Sequence, residues 1–388
     1  MKIRTITAGL ILDTECSPLE KTIGRLATAQ AAFEDAGYEV QTTRIATQPI
    51  DFLVGDSGAA LRDVAGRVHE MCAARGFGFV SLGPINSWGD VVLAEVLPEV
   101  LAAHDTLNAS IGLLSSGQTS SRGSARGVDE PACRAAAQVI SRLAHETPGG
   151  IGNFRFAATA GCPPGIPFFP SAYHDHGAPT LAIGLESADL VEEAFAGAHR
   201  LVDAGERLTA LFDRALAPVA RLGENLAERF GWRYLGIDLS PAPLGEVSIA
   251  RAFEALGLGL FGEAGTLSIV AMTTQALERV NVKSCGFSGL MFPVLEDAGL
   301  GQRNAEGRFD IQDLLLYSTV CGTGLDTVPI PGNTPASRIE RLLYDVAALS
   351  LRLDKPLSAR LFPVSGKKAG DMTTFDSPYL TNTTVMEL

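Results

Sequence analysis

A chain of 388 residues, 46% of them hydrophobic, can build two ordinary domains or one large α/β barrel, and its net charge of −13 supplies no basic patch for nucleic acid or an anionic membrane. The six cysteines, Cys16, Cys72, Cys133, Cys162, Cys285 and Cys321, are scattered without a C-x-x-C pair, as expected of reduced thiols in a cytoplasm. The first apolar run ends at Asp13 without a cleavage site, and no later run is long enough to cross a bilayer, so neither a secretion signal nor a membrane span is expected.

Residues 3–12 predict a first strand. Ser17-Pro18-Leu19-Glu20 has the form of a capping box, opening a helix that carries Leu19, Ile23, Leu26 and Phe33 on one stripe and stops at Gly37. A strand over 38–47 and a helix with Leu61, Val64, Val68 and Cys72 inward follow. The pattern then repeats: strand 77–82, helix 90–103, strand 107–114, helix 130–145, and strands 154–160 and 180–185. Such alternation signals a mostly parallel sheet under covering helices. A long helical insertion at about 188–230 is expected to be interrupted near Gly205 and kinked or broken near Pro218. Beyond it come a strand at 234–239, helices ending at Gly257 and spanning 267–280, an irregular run SCGFSGLMFPVLEDAG, a helix over 311–320, a strand over 325–330, a helix begun by Thr334-Pro335 and a strand over 358–364. Without a low-complexity linker, residues 1–388 read as one domain.

Asp238 is the carboxylate that stands out, because it interrupts the apolar strand Tyr234, Leu235, Ile237, Leu239 and must be hydrogen-bonded, paired or bound to a cation there. Parallel sheets bind ligands at the carboxyl ends of their strands, where Asp13 and Glu186 also fall. Asp326 and the Glu296-Asp297 pair complete a set of acids that could gather at one mouth and hold a cation or polarise a substrate, though singly each could be a cap or a surface charge. His174-Asp175-His176 could supply a base with its orienting carboxylate, metal ligands, or the polar lining of a pocket. The loop SSGQTSSRGSARGVDEP, with Arg122 and Arg126 before a helix N-terminus, is either an anion site or a solvated surface loop. The glycines at 257, 259 and 262 follow a helix instead of a strand, so they read as a turn and not as a dinucleotide loop.

Together IRTITAGLILD, FGWRYLGIDLSPAP with GEVSIARAFEALGL, SGLMFPVLEDAGL, CGTGLDTVPIPGNTP and the closing KKAGDM resemble the DUF711 family, also called UPF0210, over nearly the whole chain. The resemblance implies a fold similar to the pyruvate formate-lyase barrel: a closed α/β barrel of about ten strands ringed by helices around an internal hairpin or loop. This chain lacks that enzyme's adjacent cysteines and radical loop, and it ends earlier than typical members with their glycine-rich tail. Neither a radical nor a nucleotide cofactor is expected.

The expected function is an enzyme acting on a small polar or anionic metabolite by acid/base or metal-assisted hydrolysis or elimination. The alternative is a non-catalytic small-ligand-binding or regulatory protein using the same pocket. Asp238, His174 and Glu186 are the catalytic candidates; Arg122, Arg126, Asn86, His176 and Ser240 the substrate-binding ones; Asp13, Glu186 and His174 the ligands of a divalent metal, if one takes part. A small molecule is the expected partner, and a homodimer the expected assembly.

Overall fold

Every residue of strand β1 (Lys2–Gly9) after Lys2 is buried, as happens when a strand is covered on both faces. Helices cover one face and a segment of the chain's own interior the other. The computed structural model describes residues 1–86, 91–115, 119–120, 123–124 and 127–388. After β1 the strands are β2 (Thr43–Ala46), β3 (Val80–Ile85), β4 (Leu107–Gly112), the short β5 (Thr119–Ser120) and β6 (Gly123–Ser124), β7 (Phe156–Ala160), β8 (Thr180–Glu186), β9 (Arg233–Ala242), β10 (Gly324–Pro331) and β11 (Leu357–Val364). The helices are α1 (Leu19–Asp35), α2 (Ile50–Val54), α3 (Gly58–Ala73), α4 (Val91–Ala103), α5 (Glu130–Glu146), α6 (Ala188–Phe195), α7 (Leu201–Phe230), α8 (Ile249–Glu254), α9 (Thr266–Glu278), α10 (Ala298–Ala305), α11 (Ile311–Ser318) and α12 (Ala336–Leu353). Among the described residues no helix is long and apolar enough to cross a membrane.

Nine strands form one sheet in the order β10-β11-β7-β4-β3-β2-β1-β8-β9. Its centre, β7-β4-β3-β2-β1, is parallel throughout. Both flanks run the other way, β8 antiparallel to β1 and β11 antiparallel to β7, while β9 and β10 continue parallel to their neighbours. The sheet thus has nine hydrogen-bonded strands under its ring of helices, and among the described residues its edges β9 and β10 are not hydrogen-bonded to each other. Residues 283–297 lie between them. Ile237 N donates to Lys283 O (2.9 Å) and Cys285 N to Ile237 O (3.0 Å), while Val294 N donates to Asp326 O on β10 (3.1 Å). Positive φ at Gly286 and Ser288 keeps this run from forming a regular ladder, and Pro293 has no N–H to give one.

Two local expectations fail for identifiable reasons. Pro18, not Ser17, is the residue preceding α1, and no side chain caps that helix; Ser17 N instead donates to the Asp13 carboxylate (2.9 Å). Helix α7 runs as one element through Gly205 and Pro218, so no interruption or break falls there, because tertiary packing outweighs local propensity. A β-carbon on its Gly223 would stand 2.8 Å from both Ile183 and Tyr234, so glycine lets the helix press onto β8 and β9.

Residues 161–179, between β7 and β8, fold back inside the sheet as a hairpin, crossed by Gly165 N donating to Tyr173 O (2.9 Å). Its buried polar backbone is satisfied by the strands around it: Thr7 Oγ1 donates to Pro167 O (2.9 Å), Ser81 Oγ to Ala172 O (2.7 Å), and His174 N to Thr47 O (2.8 Å). The tip, Phe168 to Ser171, contains a cis Phe169-Pro170 peptide and roofs a cavity.

Candidate ligand site

The cavity measures about 310 Å³ and lies where the parallel strands begin, not where they end. Arg4, Arg44, Asp326 and Arg360 project into it from β1, β2, β10 and β11. Two ladder irregularities help place them. The register of β1 on β8 shifts between Ile3 and Thr5, and that of β10 on β11 between Leu325 and Val328, where Thr327 has a positive φ. Such bulges re-aim side chains, here Arg4 and Asp326.

The charged groups form a chain of contacts. Arg360 Nε donates to Asp326 Oδ1 (2.6 Å) and Arg360 Nη2 to Glu296 Oε1 (2.6 Å). The other oxygen of Glu296 accepts from Arg4 Nη2 (3.1 Å). Arg4 Nη1 donates to Gln41 Oε1 (3.2 Å) and lies 3.7 Å from Glu186, to which the Gln41 amide also donates. Burial would pull the Arg360 guanidinium down, but the Asp326 and Glu296 carboxylates hold it above its ordinary value.

Arg44 stands apart. It is 8% exposed and lies between two rings, 5.5 Å from the centroid of Phe79 and 5.2 Å from that of Phe169. Its Nε donates to Thr42 Oγ1 (3.0 Å), but among the described residues no acceptor meets Nη1 or Nη2 and no carboxylate lies in ion-pair range. Burial, reinforced by the like charge of Arg4 and Arg360 and opposed by Glu296, pushes its pKa down to about 9, so it remains a cation at neutral pH. A buried cation without a counter-charge is costly unless something outside the chain supplies one. Phe154, Phe168, Phe287 and Met291 give the cavity apolar walls, and Tyr379 stacks on Phe154 with centroids 6.1 Å apart. Asn108 on β4 also lines it, with an amide nitrogen that meets no acceptor among the described residues.

The residues expected to carry the chemistry are dispersed. Asp238 is buried and saturated: Oδ1 accepts from Ser240 N (3.0 Å), Ser240 Oγ (2.6 Å) and Ser288 N (2.9 Å), and Oδ2 from Phe287 N (2.8 Å). Burial raises its pKa against those donors. Asp238 and Ser240 are thus a clamp for the turn at 285–289, and Gly286 has no side chain because a β-carbon there would collide with the Asp238 carboxylate. His174 lies beside Gly9 and Thr47, at the opposite end of β1 and β2 from the cavity. Burial lowers its pKa, and its Nε2 has no partner. Asp13 is exposed in the turn before α1, and hydrogen bonding from Ser17 lowers its pKa. His176 is exposed and paired with Asp175 (2.8 Å), and Asn86 is exposed past the end of β3. Arg122 and Arg126 lie outside the described residues. Asp297 caps α10, accepting from Leu300 N (2.9 Å) and Ile249 N (2.7 Å).

The shared mouth for Asp238 and His174 is therefore corrected: Asp238 is consumed by its own strand and loop, and His174 by the hairpin's far end. Asp13, Glu186 and His174 do not converge as metal ligands, and among the described residues no three His, Cys, Asp or Glu side chains gather to hold a metal ion. Of the acids singled out in the sequence, Glu186, Glu296 and Asp326 do come together, through Arg4 and Arg360. Those arginines and Arg44 were missed, although each interrupts an apolar strand as Asp238 does.

Over residues 1–377 the chain matches the family described as Uncharacterised ACR (DUF711). It is similar to the UPF0210 protein of Pyrobaculum islandicum, at 32% identity over 376 residues that cover 91% of this chain and 80% of that one. The UPF0210 protein of Pyrobaculum arsenaticum is 33% identical over 364 residues, covering 88% and 78% of the two chains. That of Oleidesulfovibrio alaskensis is 28% identical over 414 residues, covering 97% and 88%.

Proposed function

The chain belongs to the DUF711 (UPF0210) family, and from that footing we propose that it binds a small organic anion, a carboxylate or a phosphate, in the arginine-lined cavity. The observation that carries this is the Arg44 guanidinium, buried between Phe79 and Phe169 with both terminal nitrogens lacking an acceptor among the described residues. An oxyanion supplies the charge and the acceptors that the chain withholds, and charge-assisted hydrogen bonds of that kind are about twice as strong as neutral ones. The aromatic walls accommodate the ligand's apolar body.

An enzyme of the hydrolase or lyase type remains the broader reading. Its acid/base work falls to Asp326 and Glu296, the buried carboxylates of the cavity lining, instead of to Asp238 and His174. A non-catalytic binding protein would use the same cavity, and the two readings separate on turnover alone. A ten-stave ring of the pyruvate formate-lyase kind is part of this reading, with residues 283–297 as the irregular tenth stave between β9 and β10. The test is calorimetric titration of short-chain carboxylates and phosphate monoesters into the protein and into Arg44→Met. Binding by the parent that falls at least tenfold in Arg44→Met is expected; equal binding by both, or none by the parent, overturns the assignment. Incubation of a bound compound with Asp326→Asn and with the parent, followed by NMR, then shows whether conversion occurs and needs that carboxylate.

A further inference from the structure

We propose that the ligand is a zwitterion with its two charges at separate ends, a carboxylate against Arg44 and an ammonium against Asp326. The proposal rests on the anion-binding reading and adds the other half of the ligand. Asp326 is 8% exposed and lines the same cavity as Arg44. Its Oδ1 is taken by Arg360, whereas Oδ2 accepts no hydrogen bond among the described residues. The cavity therefore presents the terminal nitrogens of the buried Arg44 and the free oxygen of the buried Asp326 to a ligand, with the half-buried Arg155 and the exposed Asp105 also in its lining.

Charge counting points the same way. The contact chain Asp326, Arg360, Glu296, Arg4, Glu186 holds three carboxylates and two guanidiniums, an excess negative charge that the buried Arg44 offsets, while Arg155 and Asp105, which also line the cavity, cancel each other. An anion on Arg44 restores that excess inside a low-dielectric space, and a ligand ammonium removes it. A second anionic group near Asp326, Glu296 and Glu186 is repelled, which disfavours a diacid. The walls suit a cation, since Arg360 already lies 5.2 Å from the Phe154 centroid, and Phe154 and Tyr379 face the same space. Arg44 and Asp326 enter the cavity from β2 and β10 and make no ion pair with each other, so a ligand that meets both carries its two charges on separate groups joined by a spacer.

The test is titration calorimetry with ε-aminocaproate and its single-ended analogues hexanoate and hexylamine, with adipate as the diacid, at constant pH and ionic strength. The parent protein is expected to bind ε-aminocaproate about tenfold or more tighter than hexanoate, hexylamine or adipate, the size of one charged hydrogen bond. Asp326→Asn is expected to erase the preference over hexanoate, weakening ε-aminocaproate while hexanoate binds as tightly as before or tighter because a repelling charge is gone, and Asp326→Glu to restore part of the preference. Arg44→Met is expected to weaken ε-aminocaproate and hexanoate together. If hexanoate or adipate binds the parent as tightly as ε-aminocaproate and depends on Arg44, the zwitterion is overturned and the anion site stands; if none binds, both fall. The comparison within the parent protein decides the matter even if Asp326→Asn does not fold.

Discussion

Two regions of this molecule each bury a charged side chain in an apolar strand, and they resolve the cost in opposite ways. At the clamp on β9, Asp238 receives every hydrogen bond it can use from Ser240, Phe287 and Ser288. At the slot on β2, Arg44 has rings on either side, one bond to Thr42, and nothing at its terminal nitrogens. A buried charge that the chain itself completes is architecture. One that the chain leaves incomplete next to an open volume is a place for another molecule.

The contrast can be broken by substitution. Glu296→Ala should have the largest effect, because it strips a counter-charge from Arg4 and Arg360 together, and losing one partner of a buried pair costs about 3–5 kcal/mol. Urea unfolding should show the midpoint falling accordingly. Asp238→Asn should come next, with a loss on the order of 3 kcal/mol as an accepting oxygen becomes a donor facing the amides of the 285–289 turn. Its folded fraction should still bind ligand, with a loss well below that of Arg44→Met because only the wall residue Phe287 is loosened, and a loss of binding as large as that of Arg44→Met would reverse the roles assigned to the two regions.

Arg44→Met should do the opposite, weakening ligand binding about ten- to a hundredfold while leaving stability unchanged or raised by about 1 kcal/mol, since an unpaired buried charge is removed. A marked fall in its thermal midpoint without ligand would mean that Arg44 is structural after all. A subtler effect concerns His174, whose pKa burial lowers from the ordinary 6.5. The unfolded chain then binds the proton more readily than the folded one, so this group's stabilisation is complete above about 6.5 and is lost as pH falls below it. His104, also lowered by burial, has the same sign. Stability measured from pH 7.5 to 5 should therefore fall less steeply in His174→Gln than in the parent. Tyr379→Ala should matter least, costing about 1 kcal/mol through its lost stack on Phe154, and a larger loss of ligand affinity would bring Tyr379 into the recognition itself.

Much of this architecture was legible in the residues. Apolar runs at 3–12, 107–114 and 180–185, alternating with amphipathic helices, required a mostly parallel sheet under helical cover, because each such face must be buried. The same reasoning identified Asp238 as a buried carboxylate needing partners, and the acids at 186, 296 and 326 as a set that could meet. Periodicity is local, and a lone charge in an apolar strand does not announce whether its partners are donors on the next loop or groups on a ligand. Only the tertiary structure decided that residues 285–289 fold over Asp238, that bulges aim Arg4 and Asp326 inward, and that the hairpin at 161–179 carries His174 to one end while setting Phe169 against Arg44 at the other. Those outcomes depend on contacts between segments up to hundreds of positions apart, such as Arg4 with Glu296, and register and threading create such contacts without leaving a periodic mark in the chain.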